Sequence, residues 1–204
     1  MRNLFFALLM LAVVQIGPLR PALAHPHVWV DALAFLGFDE GRLTTIRMQW
    51  AFDEFFSEIL FQDFDWNDNG QFDEDELAAM RQGAFEGLGE VNFFTDFRID
   101  GEQVSWDGAR DFGVAVSEDG RTVAYSFTLD VPGAPDPYSD AISLSIYDPE
   151  FYVELNFIDD EPLRFRDLPG GACGYSFVEA TDNPIYFGLV TPIRAEILCE
   201  EVTG

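Results

Sequence analysis

The chain of 204 residues contains no lysine, and all 11 of its basic residues are arginine. Its acidic residues number 37, so the formal net charge is −26 at pH 7. A surface of this sign repels nucleic acids and anionic lipid headgroups and attracts cations. The composition therefore predicts no nucleic-acid partner, while the same acidity is also typical of a salt-adapted protein.

Histidine and cysteine are almost as scarce. The two histidines, His25 and His27, are separated only by Pro26 and lie near the start of the chain, so neither can serve as a distant general base. No glycine-rich phosphate loop, CxxC pair or thiol nucleophile is present, and the abundant carboxylates single out no catalytic pair. Copper–oxygen chemistry at His25 would require a further histidine. We therefore predict that the protein is not an enzyme.

One long hydrophobic run is present, at residues 4–16, and no later run is long enough to span a bilayer. It follows a short positive region and precedes the small residues Ala22 and Ala24, the pattern of a signal-peptidase site. We predict a signal peptide over residues 1–24 and an exported, periplasmic protein that begins at His25 and does not span the membrane. The domain organisation then predicted is a single β-rich domain over residues 25–204.

The two cysteines, Cys173 and Cys199, are far apart in the sequence. In an oxidising compartment an even pair most simply forms one disulfide. A thiolate metal or redox site is the alternative, but neither cysteine has the neighbouring ligands that such a site needs.

Residues 65–76 read D-W-N-D-N-G-Q-F-D-E-D-E, which is the spacing of an EF-hand calcium loop. Gly70 occupies the sixth position, where the chain must turn sharply. Oxygen ligands fall at positions one, three, five, seven, nine and twelve, and calcium prefers about seven oxygens in a flexible geometry. The predicted ligands are Asp65, Asn67, Asn69, Gln71 through its carbonyl, Asp73 through a water molecule, and Glu76 through both oxygens.

The flanking residues predict helices on both sides of this loop, as an insertion over about residues 53–90. An apolar stripe at helical spacing precedes it, and an exiting helix is expected over about residues 74–88. Trp66 at position two and Phe72 at position eight depart from the usual pattern, and no second loop is found to pair with this one. A helix–loop–helix that binds no metal is therefore the alternative. If calcium binds, we expect weak affinity of roughly 10⁻⁴–10⁻³ M.

His25 and His27 predict a second metal site. A mature N-terminal histidine offers its α-amine and its ring together, and residues 25 and 27 point to the same side of an extended strand. Imidazole suits nickel, cobalt, zinc and copper. The alternative is that these residues merely begin a strand and bind no metal.

The rest of the chain reads as short strands separated by turn signals. Predicted strands cover residues 28–38, 43–52, 92–99, 103–106, 112–116, 122–129, 142–147 and 151–157. This pattern predicts an α+β, mostly β fold, an antiparallel sandwich or curved sheet into which the EF-hand-like helix–loop–helix is inserted.

Five segments in order, HPHVWVDA, FDWNDNGQFDEDEL, FFT, YDPEFYVELNF and PGGAC, resemble the bacterial periplasmic family of domain of unknown function one-thousand-seven. Its members are often labelled as the periplasmic component of an uncharacterised ABC-type transport system. The resemblance implies metal handling beside a nickel/cobalt-type exporter or another metal transporter.

Two functions follow as expectations. In the first, the protein is a periplasmic metal-binding accessory of a transition-metal transporter, which uses His25 and His27 and carries a calcium loop. In the second, calcium is its only metal, and the protein is a structural or docking module of the cell envelope.

Overall fold

The computed structural model describes residues 26–168 and 171–201, so the predicted signal peptide and His25 lie outside the described residues. The described strands are, in chain order, β1 (Val28–Asp39), β2 (Arg42–Phe52), β3 (Thr95–Ile99), β4 (Glu102–Gln103), β5 (Arg110–Val116), β6 (Val123–Asp130), β7 (Ile142–Ile146), β8 (Val153–Phe157), β9 (Leu163–Arg166), β10 (Gly171–Glu179) and β11 (Ile193–Glu201). They form two sheets that contribute to one hydrophobic core. The predicted mostly β sandwich architecture is confirmed.

The first sheet has the order β5-β6-β2-β1-β8, with β9 also beside β1, and the second has the order β10-β11-β7-β3-β4. Most neighbours are antiparallel, as predicted, but β8 and β9 both run parallel to β1, one after the other along its length. This follows from the long path of the chain, since a strand that returns from a distant part of the sequence is free to pair in either direction.

The β1–β2 hairpin follows from its sequence pattern. Alternate residues of β1 are buried, as expected for a strand with one face on the core. Glu40 and Gly41 form the turn with φ of 48° and 82°, the positive values that a tight hairpin turn requires. Gly37 packs so closely on Thr45 that a Cβ atom would lie 2.3 Å from its hydroxyl oxygen, so any side chain at position 37 would displace the Thr45 side chain.

The helical insertion lies between β2 and β3, as predicted. It consists of α1 (Glu54–Phe64), α2 (Glu74–Met80), a π-helical turn (Arg81–Phe85) and a 3₁₀ segment (Glu86–Phe94), and a further 3₁₀ turn covers Tyr186–Gly188. The exiting helix predicted over residues 74–88 is helical over that whole range, but it changes from α to π at Arg81 and to 3₁₀ at Glu86. Widening of the helix at this point brings the buried Phe85 ring onto Phe112, with ring centroids 4.2 Å apart.

The strand predictions hold, apart from a few residues at their ends, for β1, β2, β3 and β5 to β8, and fail after residue 157. Residues 92–94, predicted as the start of a strand, belong to the 3₁₀ segment, and of the strand predicted over residues 103–106 only Gln103 lies in a strand, β4. The strands β9, β10 and β11 were not predicted. The strand β10 contains two glycines, which weaken its signal, although Cys173, Tyr175 and Phe177 alternate with Gly174 and Ser176 in the way that a strand favours.

Cys173 and Cys199 form the predicted disulfide. They face each other across the antiparallel pair β10–β11, and both are half-buried against the core. The bond joins two strands that are already neighbours, so it stabilises their pairing by limiting the freedom of the unfolded chain.

We predict that the double variant Cys173→Ser/Cys199→Ser loses about 3 kcal/mol of unfolding free energy, the value for closing a loop of about 27 residues. Denaturant unfolding of oxidised wild type and variant measures the difference. Reductant should destabilise the wild type and leave the variant unchanged. Equal unfolding free energies for the two oxidised proteins would contradict the prediction.

Candidate metal centre

The helix that leads into the predicted calcium loop is anchored by Asp53. Its carboxylate accepts hydrogen bonds from the Phe55 and Phe56 N–H groups at 2.9 and 3.0 Å, which caps α1. The other carboxylate oxygen accepts from the Trp29 N–H at 2.9 Å. One side chain therefore fixes both the start of α1 and its attachment to β1.

The buried face of α1 differs from the predicted apolar stripe. Phe55, one of the apolar residues at helical spacing before the loop, is 71% exposed. Ser57 is fully buried instead, and its hydroxyl oxygen accepts a hydrogen bond from the Val123 N–H at 2.9 Å. The buried face is rotated away from the apolar stripe because α1 packs against the start of β6. There the buried Val123 N–H requires an acceptor, and Ser57 supplies it.

The first half of the loop has the turn that the spacing predicts. Asp65 follows α1 directly, and its two carboxylate oxygens accept from the Asn69 and Gly70 N–H groups at 3.1 and 2.8 Å. Gly70 has φ of +74°, the left-handed conformation that favours glycine. Asn69 in turn accepts from the Gln71 N–H, so the predicted ligands at positions one to seven lie on one tight bend.

Glu76, at the twelfth position, is the one buried carboxylate of the loop. It is 1% exposed. One of its oxygens accepts from the Trp66 and Asn67 N–H groups at 2.8 and 3.3 Å, and the other accepts from the Asp73 N–H at 2.9 Å. Because a buried charge is costly without partners, these contacts tie the end of the loop back to its beginning.

The same residue completes the start of α2. The Asp73 carboxylate accepts from the Glu76 N–H while Glu76 accepts from the Asp73 N–H, a reciprocal capping box. Two helix N-terminal donors are satisfied in this way without any residue outside the loop.

The Asn67 side chain lies between two carboxylates. Its amide nitrogen donates to Asp73 at 3.2 Å and to Glu76 at 3.0 Å. This NH₂ group occupies a position at which two negative oxygens converge. Rotation of the amide by half a turn would exchange NH₂ for oxygen and leave three oxygens around that position, which is the chemistry that a hard cation prefers.

The loop carries six carboxylates and no basic residue between positions 65 and 76. Among the described residues, no arginine forms an ion pair with a loop carboxylate. In the same residues, no three side chains of histidine, cysteine, aspartate or glutamate come together as a metal-binding group. In the described residues the predicted calcium ligands therefore share one loop, but their carboxylates do not converge as a group of three.

Phe72, which departs from the usual residue at position eight, packs inside its own domain. Its ring stacks on Phe61 of α1 with centroids 5.2 Å apart and an angle of 13° between the planes. Phe61, Phe64 and Phe72 all pack against the core. The contact that a neighbouring loop usually supplies is thus replaced by an aromatic contact within the helix pair.

His27 is exposed immediately before β1, and its ring lies 4.8 Å from the Tyr152 ring. The backbone N–H of His27 donates to the Tyr152 carbonyl oxygen at 2.8 Å. His25, the other predicted transition-metal ligand, lies outside the described residues. The transition-metal site therefore stays a prediction.

A buried polar cluster was not anticipated from the sequence. Asp96 is 3% exposed and pairs with Arg98, with 3.0 Å between carboxylate oxygen and Nε. The Tyr147 hydroxyl donates to Asp96 at 3.1 Å, and the Asn183 amide donates to both Asp96 and Tyr147. Burial, and secondarily the Asp96 charge, raise the pKa of Tyr147 to about 12. The cluster joins three distant parts of the sequence and holds its members in place.

Asp148 is a second buried carboxylate. It is 6% exposed and accepts from the Glu150, Tyr152 and Val153 N–H groups at 2.9–3.0 Å. Its role is to fix the bend that leads into β8. The pair Asp148-Pro149 is the sequence signal for this bend, since aspartate commonly accepts hydrogen bonds from the backbone of a turn.

Every helix in the described part of the chain is too short or too polar to cross a lipid bilayer.

Comparison with known proteins identifies a family. The family described as Protein of unknown function (DUF1007) matches residues 8–189, so the chain belongs to it, and the resemblance seen in the sequence is confirmed. The chain is also similar to a Spirochaeta aurantia protein described as an uncharacterized 15.5 kDa protein in the trpE 3′ region. The two are 27% identical over 139 residues, which cover 68% of this chain and 96% of that protein.

We predict that stability falls as pH rises from about 10 to about 12, because of Tyr147. An unfolded tyrosine ionises near pH 10, whereas the folded chain holds the Tyr147 proton to about 12. The contribution is complete below the unfolded pKa and is lost through this window. Tyr147→Phe should reduce the slope of unfolding free energy against pH. Burial also raises the pKa of Tyr125, so part of the slope should remain. Identical slopes for wild type and Tyr147→Phe would contradict the assignment.

Proposed function

We propose that this member of the DUF1007 family is an exported, periplasmic calcium-binding protein without catalytic activity. In this proposal a single EF-hand-like loop binds calcium and holds α1 and α2 in place, and the protein acts by docking to another component of the cell envelope. The observation that carries the proposal is the buried Glu76 carboxylate, which closes a loop rich in oxygens and free of basic residues.

The donor set fits a hard cation better than a transition metal. Asp65, Asn67, Asn69, Asp73 and Glu76 offer side-chain oxygens, Gln71 offers its carbonyl, and the loop contains no imidazole or thiolate. Calcium takes six to eight oxygens of this kind and tolerates irregular geometry, whereas magnesium demands a strict octahedron. The position now occupied by the Asn67 NH₂ group, between Asp73 and Glu76, is the natural place for the positive charge.

Calcium would change the contacts of the loop in a defined way. In the structure Glu76 accepts from the Trp66 and Asn67 N–H groups. When the Glu76 carboxylate turns to bind an ion, these N–H groups lose their acceptor and bond to water instead. This loss offsets part of the free energy of calcium binding. This exchange, together with the lack of a paired loop, accounts for an expected affinity of only about 10⁻⁴–10⁻³ M.

We expect calcium to raise the melting temperature of the wild type and to have no such effect on Glu76→Gln. At an ion concentration of about one hundred times the dissociation constant, binding to the folded state alone stabilises it by about 2.7 kcal/mol. The quantity to compare is the difference between melting in calcium and melting in chelator. Glu76→Gln should also melt lower in chelator, because an amide NH₂ cannot accept from the backbone donors around it.

Asp68→Asn is the matched control. Asp68 stands at the fourth position, outside the predicted ligand set. Its replacement by asparagine removes one negative charge from the loop, as Glu76→Gln does. Its φ is 55°, a conformation that asparagine tolerates. Asp68→Asn should keep the calcium-dependent increment. A full increment in Glu76→Gln, or no increment in the wild type at about 10 mM calcium, would refute the proposed site.

The transporter-accessory function is the second candidate, and it is favoured by the exposed position of His27 before β1. It requires that nickel, cobalt, zinc or copper bind through His25 and His27 after cleavage behind Ala24. We expect titration calorimetry to detect such a site in the mature protein and to detect none after His27→Ala or after an N-terminal extension that blocks the His25 amine. Unchanged metal binding in either altered protein would exclude these histidines.

A further inference from the structure

An apolar groove runs along the free edge of β8. Its volume is about 400 Å³. The groove lies where the first sheet ends and the second continues, so that one wall is formed by Leu155 and Phe157 of β8 and the floor by Phe177 of β10 and Ile193 of β11. Phe157 and Phe177 close it across the two sheets with ring centroids 5.4 Å apart.

The β8 backbone is paired on one side only within the described residues. The Val28 N–H donates to the Tyr152 carbonyl, and the Ile158 N–H donates to the Ala32 carbonyl. Since successive backbone groups alternate in direction, the even-numbered residues of this strand face β1. Leu155 and Phe157 therefore direct their N–H and C=O groups into the groove.

The floor of the groove is apolar and partly open. Phe177 is 43% exposed and Ile193 is 46% exposed, although both lie on the face of their sheet that meets the core. The turn over residues 185–190, which borders the groove through Ile185 and Val190, also carries Phe187, which is 96% exposed. Apolar side chains of this size beside a free strand edge form the combination at which proteins add a strand from another chain.

The charge of the groove lining and of the whole chain indicates the chemistry of the segment that binds in the groove. The residues that line the groove include Asp148 and Glu154 and no basic residue. The whole chain carries a net charge of −26, so a second copy of it would be repelled. A segment with lysine or arginine next to its apolar residues is attracted to the same place.

We propose that the β8 edge is a strand-addition site, at which an extended, basic segment of a partner protein pairs with Leu155 and Phe157 and places alternate apolar side chains on Phe177 and Ile193. The inference deepens the docking role in the proposed function, and rests on it, by naming the surface and the partner class. The hydrogen bonds to β8 would supply affinity for any extended chain, and the apolar floor and acidic surroundings would select the sequence.

The probe is a synthetic peptide of alternating valine and lysine, capped at both ends and labelled for fluorescence anisotropy. We expect saturable binding to the full exported chain. Two peptide controls are a glutamate-for-lysine version and a version methylated on the backbone nitrogens that face β8. Both should bind at least tenfold more weakly, the first through charge repulsion and the second because it lacks the donors of a ladder.

Ile193→Lys tests the floor, and Leu198→Lys is its matched control. Leu198 lies on the same strand, is similarly exposed at 55%, and points to the opposite face. Ile193→Lys should weaken binding at least tenfold, and Leu198→Lys should leave it unchanged. Amide hydrogen exchange at Leu155 and Phe157 should slow when the peptide is bound, which a non-specific contact with charge would not produce.

Equal binding of the valine–lysine peptide to both lysine variants would overturn the proposal, as would equal binding of the charge-reversed peptide or no binding at about 1 mM. Self-association of the chain that Ile193→Lys abolishes would also overturn it, since the occupant would then be a second copy.

Peptide binding is measured with and without calcium and repeated with Glu76→Gln. Absence of calcium binding by the wild type, with peptide binding retained, refutes the calcium site alone, and calcium binding by the wild type without peptide binding refutes the groove alone.

Discussion

The helical insertion depends on the burial of one negative charge. Glu76 is 1% exposed in a loop without a basic residue, and its carboxylate is held by N–H groups at both ends of that loop. A carboxylate in such surroundings needs several donors or a cation, because water is excluded from it. The same side chain completes the cap of α2, so the direction of that helix follows from how the charge is satisfied.

The β-sandwich gives this loop a fixed base. Asp53 joins α1 to β1, Phe72 stacks on Phe61 between loop and helix, and the π-helical turn after α2 carries Phe85 into the core. A loop of this spacing is usually supported by a second loop that packs against it. Here aromatic packing against the sheets takes over that support, and this explains how a single loop can stay folded in the absence of a partner loop.

Parts of this structure could be predicted because their signals are local. The loop at 65–76 has all its information within twelve residues, with Gly70 at the turn and oxygens at fixed spacing. The β1–β2 hairpin was likewise marked by alternation on both sides of Glu40 and Gly41. The cysteine pair needed only the assumption of an oxidising compartment.

Other parts could not be predicted, because they depend on packing between distant segments. Phe55 has the spacing of a core residue and is exposed, since Ser57 serves a backbone donor of β6. The Asp96–Tyr147–Asn183 cluster and the parallel pairing of β8 join residues that no short window contains together. The groove at β8 has the same origin, since its lining comes from segments that are far apart in the sequence.

A calorimetric titration of calcium into the protein, after removal of bound ions with a chelator, shows whether the Glu76 loop is a calcium site. We expect one calcium ion per chain with a dissociation constant of roughly 10⁻⁴–10⁻³ M. We also expect no comparable saturable heat from magnesium at the same concentration. Absence of saturable calcium binding, or calcium binding that magnesium reproduces, would rule out the calcium site, because the Glu76 carboxylate would then be satisfied by backbone donors alone.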